Sequence, residues 1–122
     1  MSVIVEISLQ GSEEFSQAIA RFDSAMRNQV QTQLSNWTNS VKQEAERIVP
    51  VRTGYLRSTI YAKQLDWQVQ VGAEASYAAS VEFGTRFMQA KPFLAPAIEI
   101  HLPQLERFLL EAITSTKLEA GL

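Results

Sequence analysis

Hydrophobic positions in this chain follow two periods in succession. Val3, Val5, Ile7 and Leu9 fall on one face of an alternating segment, which predicts a strand with one buried side. Gly11-Ser12 ends it; Ser12 is placed to cap a following helix, and Glu13 and Glu14 suit that helix's positive end. Phe15, Ile19, Phe22, Met26, Val30, Leu34, Trp37, Val41, Ala45 and Ile48 then recur at steps of three and four, averaging about 3.7 residues. No proline or glycine interrupts residues 12–49. One helix of that length would span roughly 50 Å, more than a compact domain of this size is wide. The stripe therefore breaks or protrudes, and Asp23-Ser24 is the favoured break because both side chains compete for backbone hydrogen bonds. The mean spacing exceeds the 3.5 of a left-handed coiled coil, so the stripe reads as a face laid across a sheet.

Pro50 stops this helix, and Arg52-Thr53-Gly54 is a turn signal. Three strand-like runs follow: Tyr55 to Lys63, Trp67 to Val71, and Tyr77 to Phe83, the last alternating Tyr77, Ala79, Val81 and Phe83 against Ala78, Ser80 and Glu82. Gln64–Asp66 and Gly72–Ser76 are short enough to be hairpin connections, with Gly72 as a stop. Gly84 to Lys91 reads as a loop. Pro92-Phe93-Leu94-Ala95-Pro96 leads into a last helix with Ile98, Leu102, Leu105, Leu109 and Ile113 on one face. Pro103 should kink or restart that helix, and Thr114–Leu122 reads as a frayed tail. The expected fold is α+β: a long N-terminal amphipathic helix, either continuous or broken near residue 23, packed on a small, mainly antiparallel sheet of about four strands, with a C-terminal helix. At 122 residues it forms a single domain, 1–122.

The net charge is −2, which argues against a general polyanion binder, but the charges are uneven. From Arg47 to Lys91 there are six basic residues (Arg47, Arg52, Arg57, Lys63, Arg86, Lys91) and three acidic ones (Asp66, Glu74, Glu82), a balance of +3; the remainder carries five basic and ten acidic, −5. A basic middle either faces DNA or an acidic partner, or is scattered solvated charge. Cysteine is absent, which removes disulfides and thiolate sites. The only histidine, His101, has Ala97 and Leu105 at helical spacing and no base or ligand. No metal-ligand spacing, phosphate loop or nucleophile elbow is present, so neither enzyme, cofactor nor small-molecule substrate is expected. No apolar run approaches membrane-spanning length.

Three features carry candidate function. Arg52 and Arg57 either present charge to a partner carboxylate or phosphate, or cap the helix end before Pro50. Glu82 either pairs with an arginine such as Arg52 or Arg57, within or between subunits, or is an exposed strand residue. Arg86 to Lys91, with Phe87 and Met88, either forms a partner surface or packs back on the core.

At these residues the sequence resembles the tail-component proteins of long-tailed double-stranded DNA bacteriophages, also called tail-completion or head–tail joining proteins. The matching segments are Pro50, Thr53-Gly54-Tyr55-Leu56-Arg57, Tyr77-Ala78-Ala79-Ser80-Val81-Glu82-Phe83-Gly84-Thr85 and Pro92-Phe93-Leu94-Ala95-Pro96-Ala97, in family order and spacing over about 50 residues. Arg52 departs from the acidic residue common there, and Pro103 interrupts the last helix. The resemblance implies a helix-on-sheet α+β fold. It also implies a virion protein of the neck, made in the host cytoplasm and working as a ring of copies around the DNA channel. Its partners are then itself, other neck and tail proteins, and passing double-stranded DNA read without sequence specificity. On this reading Arg52, Arg57, Glu82, Arg86, Phe87, Met88, Lys91 and Phe93 are expected at partner interfaces, and Arg52, Arg57 and Lys63 along the DNA. The competing functions are a tail terminator that stops tube growth and, from another class, a small DNA-binding protein.

Overall fold

The structure, a computed structural model, describes residues 2–9 and 13–119. The Ser12 cap therefore lies outside the described residues. Three strands, β1 (Val3–Ser8), β2 (Ile60–Leu65) and β3 (Gln68–Ala73), form an antiparallel sheet in the order β1-β3-β2. The register aligns Val3, Ala73 and Ile60 in one row and Val5, Val71 and Ala62 in the next but one. These rows form the covered face, where Val3, Ile60, Val69, Val71 and Ala73 are buried. The opposite face carries Ile4, Tyr61, Lys63, Leu65, Glu6, Gln68 and Gln70, and both glutamine amides donate to Glu6 Oε1 at 2.8 and 2.6 Å.

The long apolar stripe is divided into α1 (Glu13–Arg21) and α2 (Ser24–Ile48). Asp23 sits at the break in extended conformation and its carboxylate accepts from Met26 N at 2.8 Å, closing the first turn of α2. Nearly every stripe residue is buried, with Met26 and Ile48 half-buried. α2 packs against β2 and β3 and also against the last helix, α5 (Leu94–Glu119). Trp37 ties α2 to α5 by donating its indole N–H to the His101 carbonyl at 2.6 Å. Trp67, in the β2–β3 turn, folds inward and meets the rings of Phe15 and Phe22 at 5.6 and 6.0 Å.

The expected four-strand sheet has three strands, because one strand-like run is helical and another becomes a strand only after a helical turn. Tyr55 to Lys63 opens with one helical turn, α3 (Tyr55–Ser58), before β2 begins. Gly54 permits this with a left-handed backbone, φ 85°. Tyr77 to Phe83 is a helix, α4 (Ala78–Phe83). Its buried positions are Ala78 and Glu82, four apart, so the helical period overrides the alternation read from the apolar residues. Gly72 does not end a strand; it lies inside β3, and a Cβ there would come within 2.5 Å of the Val3 carbonyl oxygen and 2.7 Å of the Tyr61 hydroxyl. The Tyr61 ring occupies the space a side chain would need. Pro103 lies within α5, which continues past it and past Thr114 to Glu119.

Candidate protein–protein interface

Glu82 organises the region in which the candidate residues meet. Its side chain is 5% exposed. Oε1 accepts from the backbone N–H groups of Phe93 (3.0 Å) and Leu94 (2.9 Å), and Oε2 from that of Ala95 (3.1 Å). A helix begins with four N–H groups that have no partner inside it. At α5 these belong to Phe93, Leu94, Ala95 and residue 96, and the last is proline, which has none. One carboxylate and one proline therefore account for the whole set, with the negative charge at the positive end of the helix dipole. Glu82 does not pair with Arg52 or Arg57, and no arginine pairs with it among the described residues. Phe93, expected at an interface, is fully buried beside it. Both belong to the scaffold, because the α5 start is built around them.

The segment between Glu82 and Phe93 is tied down along its length. Gly84 N donates to Ser80 O at 2.8 Å, ending α4. Gly84 has φ 77°, and a Cβ there would lie 2.8 Å from Ala90 N, so only glycine lets the chain double back. Thr85 and Met88 exchange backbone hydrogen bonds of 2.8 and 3.3 Å, and Lys91 N donates to Val81 O at 2.8 Å. Arg86 and Phe87 form the tip of this tight turn. Phe87 N donates to Thr85 Oγ1 at 3.1 Å, and the Arg86 guanidinium stands 5.3 Å from the centre of the Phe87 ring. The ring is 89% exposed. A large aromatic side chain held out on an ordered turn leaves roughly 1.5–3 kcal/mol of unrealised burial.

Beside the turn lies an open cleft of ≈ 780 Å³, lined by Pro50 to Gly54, Leu56, Tyr77, Val81, Met88 and Lys91. Arg52 and Lys91 supply two cations to it, and among the described residues no carboxylate lines it. Tyr55 and Tyr77, both exposed, stand with ring centres 6.3 Å apart. The structure thus brings Arg52, Met88 and Lys91 to one cleft, with Arg86 and Phe87 on the turn that leads from it. Arg57 and Lys63 are exposed but do not line the cleft. Lys63 is on the open face of the sheet, its ammonium 5.3 Å from the centre of the Tyr61 ring. Val51, Tyr55 and Tyr77 lie within segments that the sequence marked as candidates but were not singled out there as contact residues. Tyr77 stands immediately before α4 and shares the cleft with Val81, with which the alternation had already grouped it.

A second polar group bridges α2 and α5, where His101 Nε2 lies 3.4 Å from Glu44 Oε1 and Glu44 also pairs with Arg47. Among the described residues no three His, Cys, Asp or Glu side chains are grouped to hold a metal ion, and no helix is long and apolar enough to cross a membrane.

Compared with known proteins, residues 13–84 match the family model described as Bacteriophage HK97-gp10, putative tail-component. The matched region takes in the Pro50 turn, α3, the sheet strands β2 and β3, and α4 with Glu82, and stops where the Phe87 turn begins. No curated protein and no solved structure matches the chain. With more than half of its length matched, from the first helix through the residue that caps the last, the chain belongs to the HK97-gp10-like family of bacteriophage tail components.

Proposed function

We propose that this chain is a non-enzymatic structural protein of the virion neck, which forms or completes the head–tail junction by assembling as a ring of copies around the DNA channel. The observation that carries this reading is the Phe87 turn beside the cationic cleft: an ordered, strongly exposed aromatic tip on a rigid base. Such a surface is stable in the isolated fold and gains by contact with another protein. Membership in a tail-component family supports a structural role in the virion.

In the ring, Arg52 lies within the cleft, while Arg57 and Lys63, which stand outside it, supply positive charge toward passing DNA. They bind phosphates without reading bases, so retention of DNA should be weak and should fall steeply with salt. Equal DNA retention by the native protein and by a variant with both neutralised would remove this part of the proposal.

Electron microscopy of particles made without the protein tests the role itself. Full heads and finished tails that fail to join are the expected result. Overlong tails would instead indicate a terminator, and normal virions would overturn both.

A further inference from the structure

Among the described residues, the outward face of α5 is a further exposed surface. Glu99, Pro103, Glu106 and Leu110 recur at steps of four, three and four, which sets them in one stripe. Ile100 stands beside that stripe. Ile100 is 53% exposed and Leu110 62%. Glu99, Glu106 and Glu111 are all exposed, and Arg107 is the one cation among them. This face is apolar and acidic. The surface around the Phe87 turn is apolar and basic, with Arg52, Arg86 and Lys91.

The two faces do not satisfy each other within one molecule. Both are exposed, and Leu110 lies about 24 Å along α5 from its start at Leu94, at 1.5 Å per residue. Neither face suits a contact with its own copy. Basic surface on basic surface would oppose three cations to three cations, and α5 on α5 would bring glutamates together; like charges across an interface are strongly disfavoured.

We propose that the Phe87 turn and cationic cleft of one copy dock on the outer face of α5 of a second copy. The contact is head to tail, so each subunit uses one face toward each neighbour, and repetition yields a closed ring or a filament. This rests on the assembly reading above and adds the identity of the two mating surfaces.

Two charge-reversed variants test it: Arg52→Glu/Lys91→Glu on the cleft, and Glu99→Lys/Glu106→Lys on α5. All four residues are exposed and none is part of the Glu82 cap, so each purified variant should keep native circular dichroism and urea unfolding. Each is supplied in trans to phage lacking the protein, and joined particles are counted. Alone, either variant opposes like charges at every contact and should lower the yield ~100-fold. Supplied together, they restore opposite charges at every contact of an alternating filament or even-numbered ring, and at all but one contact of an odd-numbered ring, and the yield should return to within about tenfold of native.

If either variant alone joins particles normally, the proposal is wrong. The same holds if both fail alone, remain folded, and fail together; the surfaces then meet other proteins. In these outcomes the assembly role survives, because it depends on the phenotype of particles lacking the protein altogether.

Discussion

Replacing Glu82 by glutamine should weaken the fold by about 2–3 kcal/mol. The carboxylate now accepts three backbone hydrogen bonds at 2.9–3.1 Å in a buried site. Hydrogen bonds to a charged group contribute about 1.5–3 kcal/mol each. Glutamine keeps one carbonyl oxygen, which can still accept from Phe93 and Leu94. Its amide N–H then faces the N–H of Ala95, so one bond is lost outright, and the helix end loses its compensating charge. Alanine removes all three acceptors. Three bonds at that rate set an upper bound of roughly 4.5–9 kcal/mol, which water entry and fraying of the first α5 turn reduce to about 4 kcal/mol. Urea unfolding followed by tryptophan fluorescence suits the measurement. Trp37 and Trp67 are both buried, and Trp37 is bonded to α5 itself. At about 1–3 kcal/mol per molar urea, the glutamine variant should lower the midpoint by roughly 0.7–3 M. Glu111→Gln, an exposed glutamate, is the control and should stay within ±0.5 kcal/mol. A midpoint for Glu82→Gln within about 0.3 M of native would refute the capping argument. A purely intersubunit role for Glu82 would leave monomer stability untouched and affect assembly alone.

The double change Phe87→Ser/Met88→Ser should cost the monomer no more than about 1–2 kcal/mol, from the covered part of Met88, while blocking assembly, since Phe87 is 89% exposed and Met88 40%; particle counts and urea curves on the same protein check both halves. Gly72→Ala should cost about 1–3 kcal/mol, because the new methyl meets the Val3 carbonyl and the Tyr61 ring, and thermal unfolding reads it directly. Asp23→Ala should cost about 1 kcal/mol through loss of the α2 cap, seen as a lower urea midpoint. Burial, and then the negative charge of Glu74, push the Tyr61 hydroxyl above its ordinary value of 10.0. The folded state thus holds this proton longer than the unfolded chain does. Its contribution is fully present below pH 10 and is lost as pH rises through the folded value. Urea midpoints taken through that range should fall less in Tyr61→Phe than in the native protein.

Several features were legible because they depend only on neighbours along the chain. The apolar steps of three and four from Phe15 to Ile48 specify a buried helical stripe wherever it packs. Asp23 marks its interruption, because a short carboxylate three residues before a free N–H is a cap by local geometry alone. The turn from Gly84 to Lys91 was likewise visible as a loop, and its aromatic and basic residues as a candidate contact surface.

Long-range contacts decided the rest. Over seven residues, alternation and a helical repeat select overlapping positions, so Tyr77 to Phe83 satisfied both patterns. Helix prevailed there in company with a carboxylate turned inward, to three N–H groups eleven to thirteen residues further on. No pattern local to Glu82 contains those donors. Gly72 likewise looked like a stop until the Tyr61 ring was laid over it from the adjacent strand. Sequence alone established which stretches bury an apolar face. Tertiary structure assigned the polar residues, because a buried charge is governed by the distant groups that neutralise it, and only folding brings those within reach.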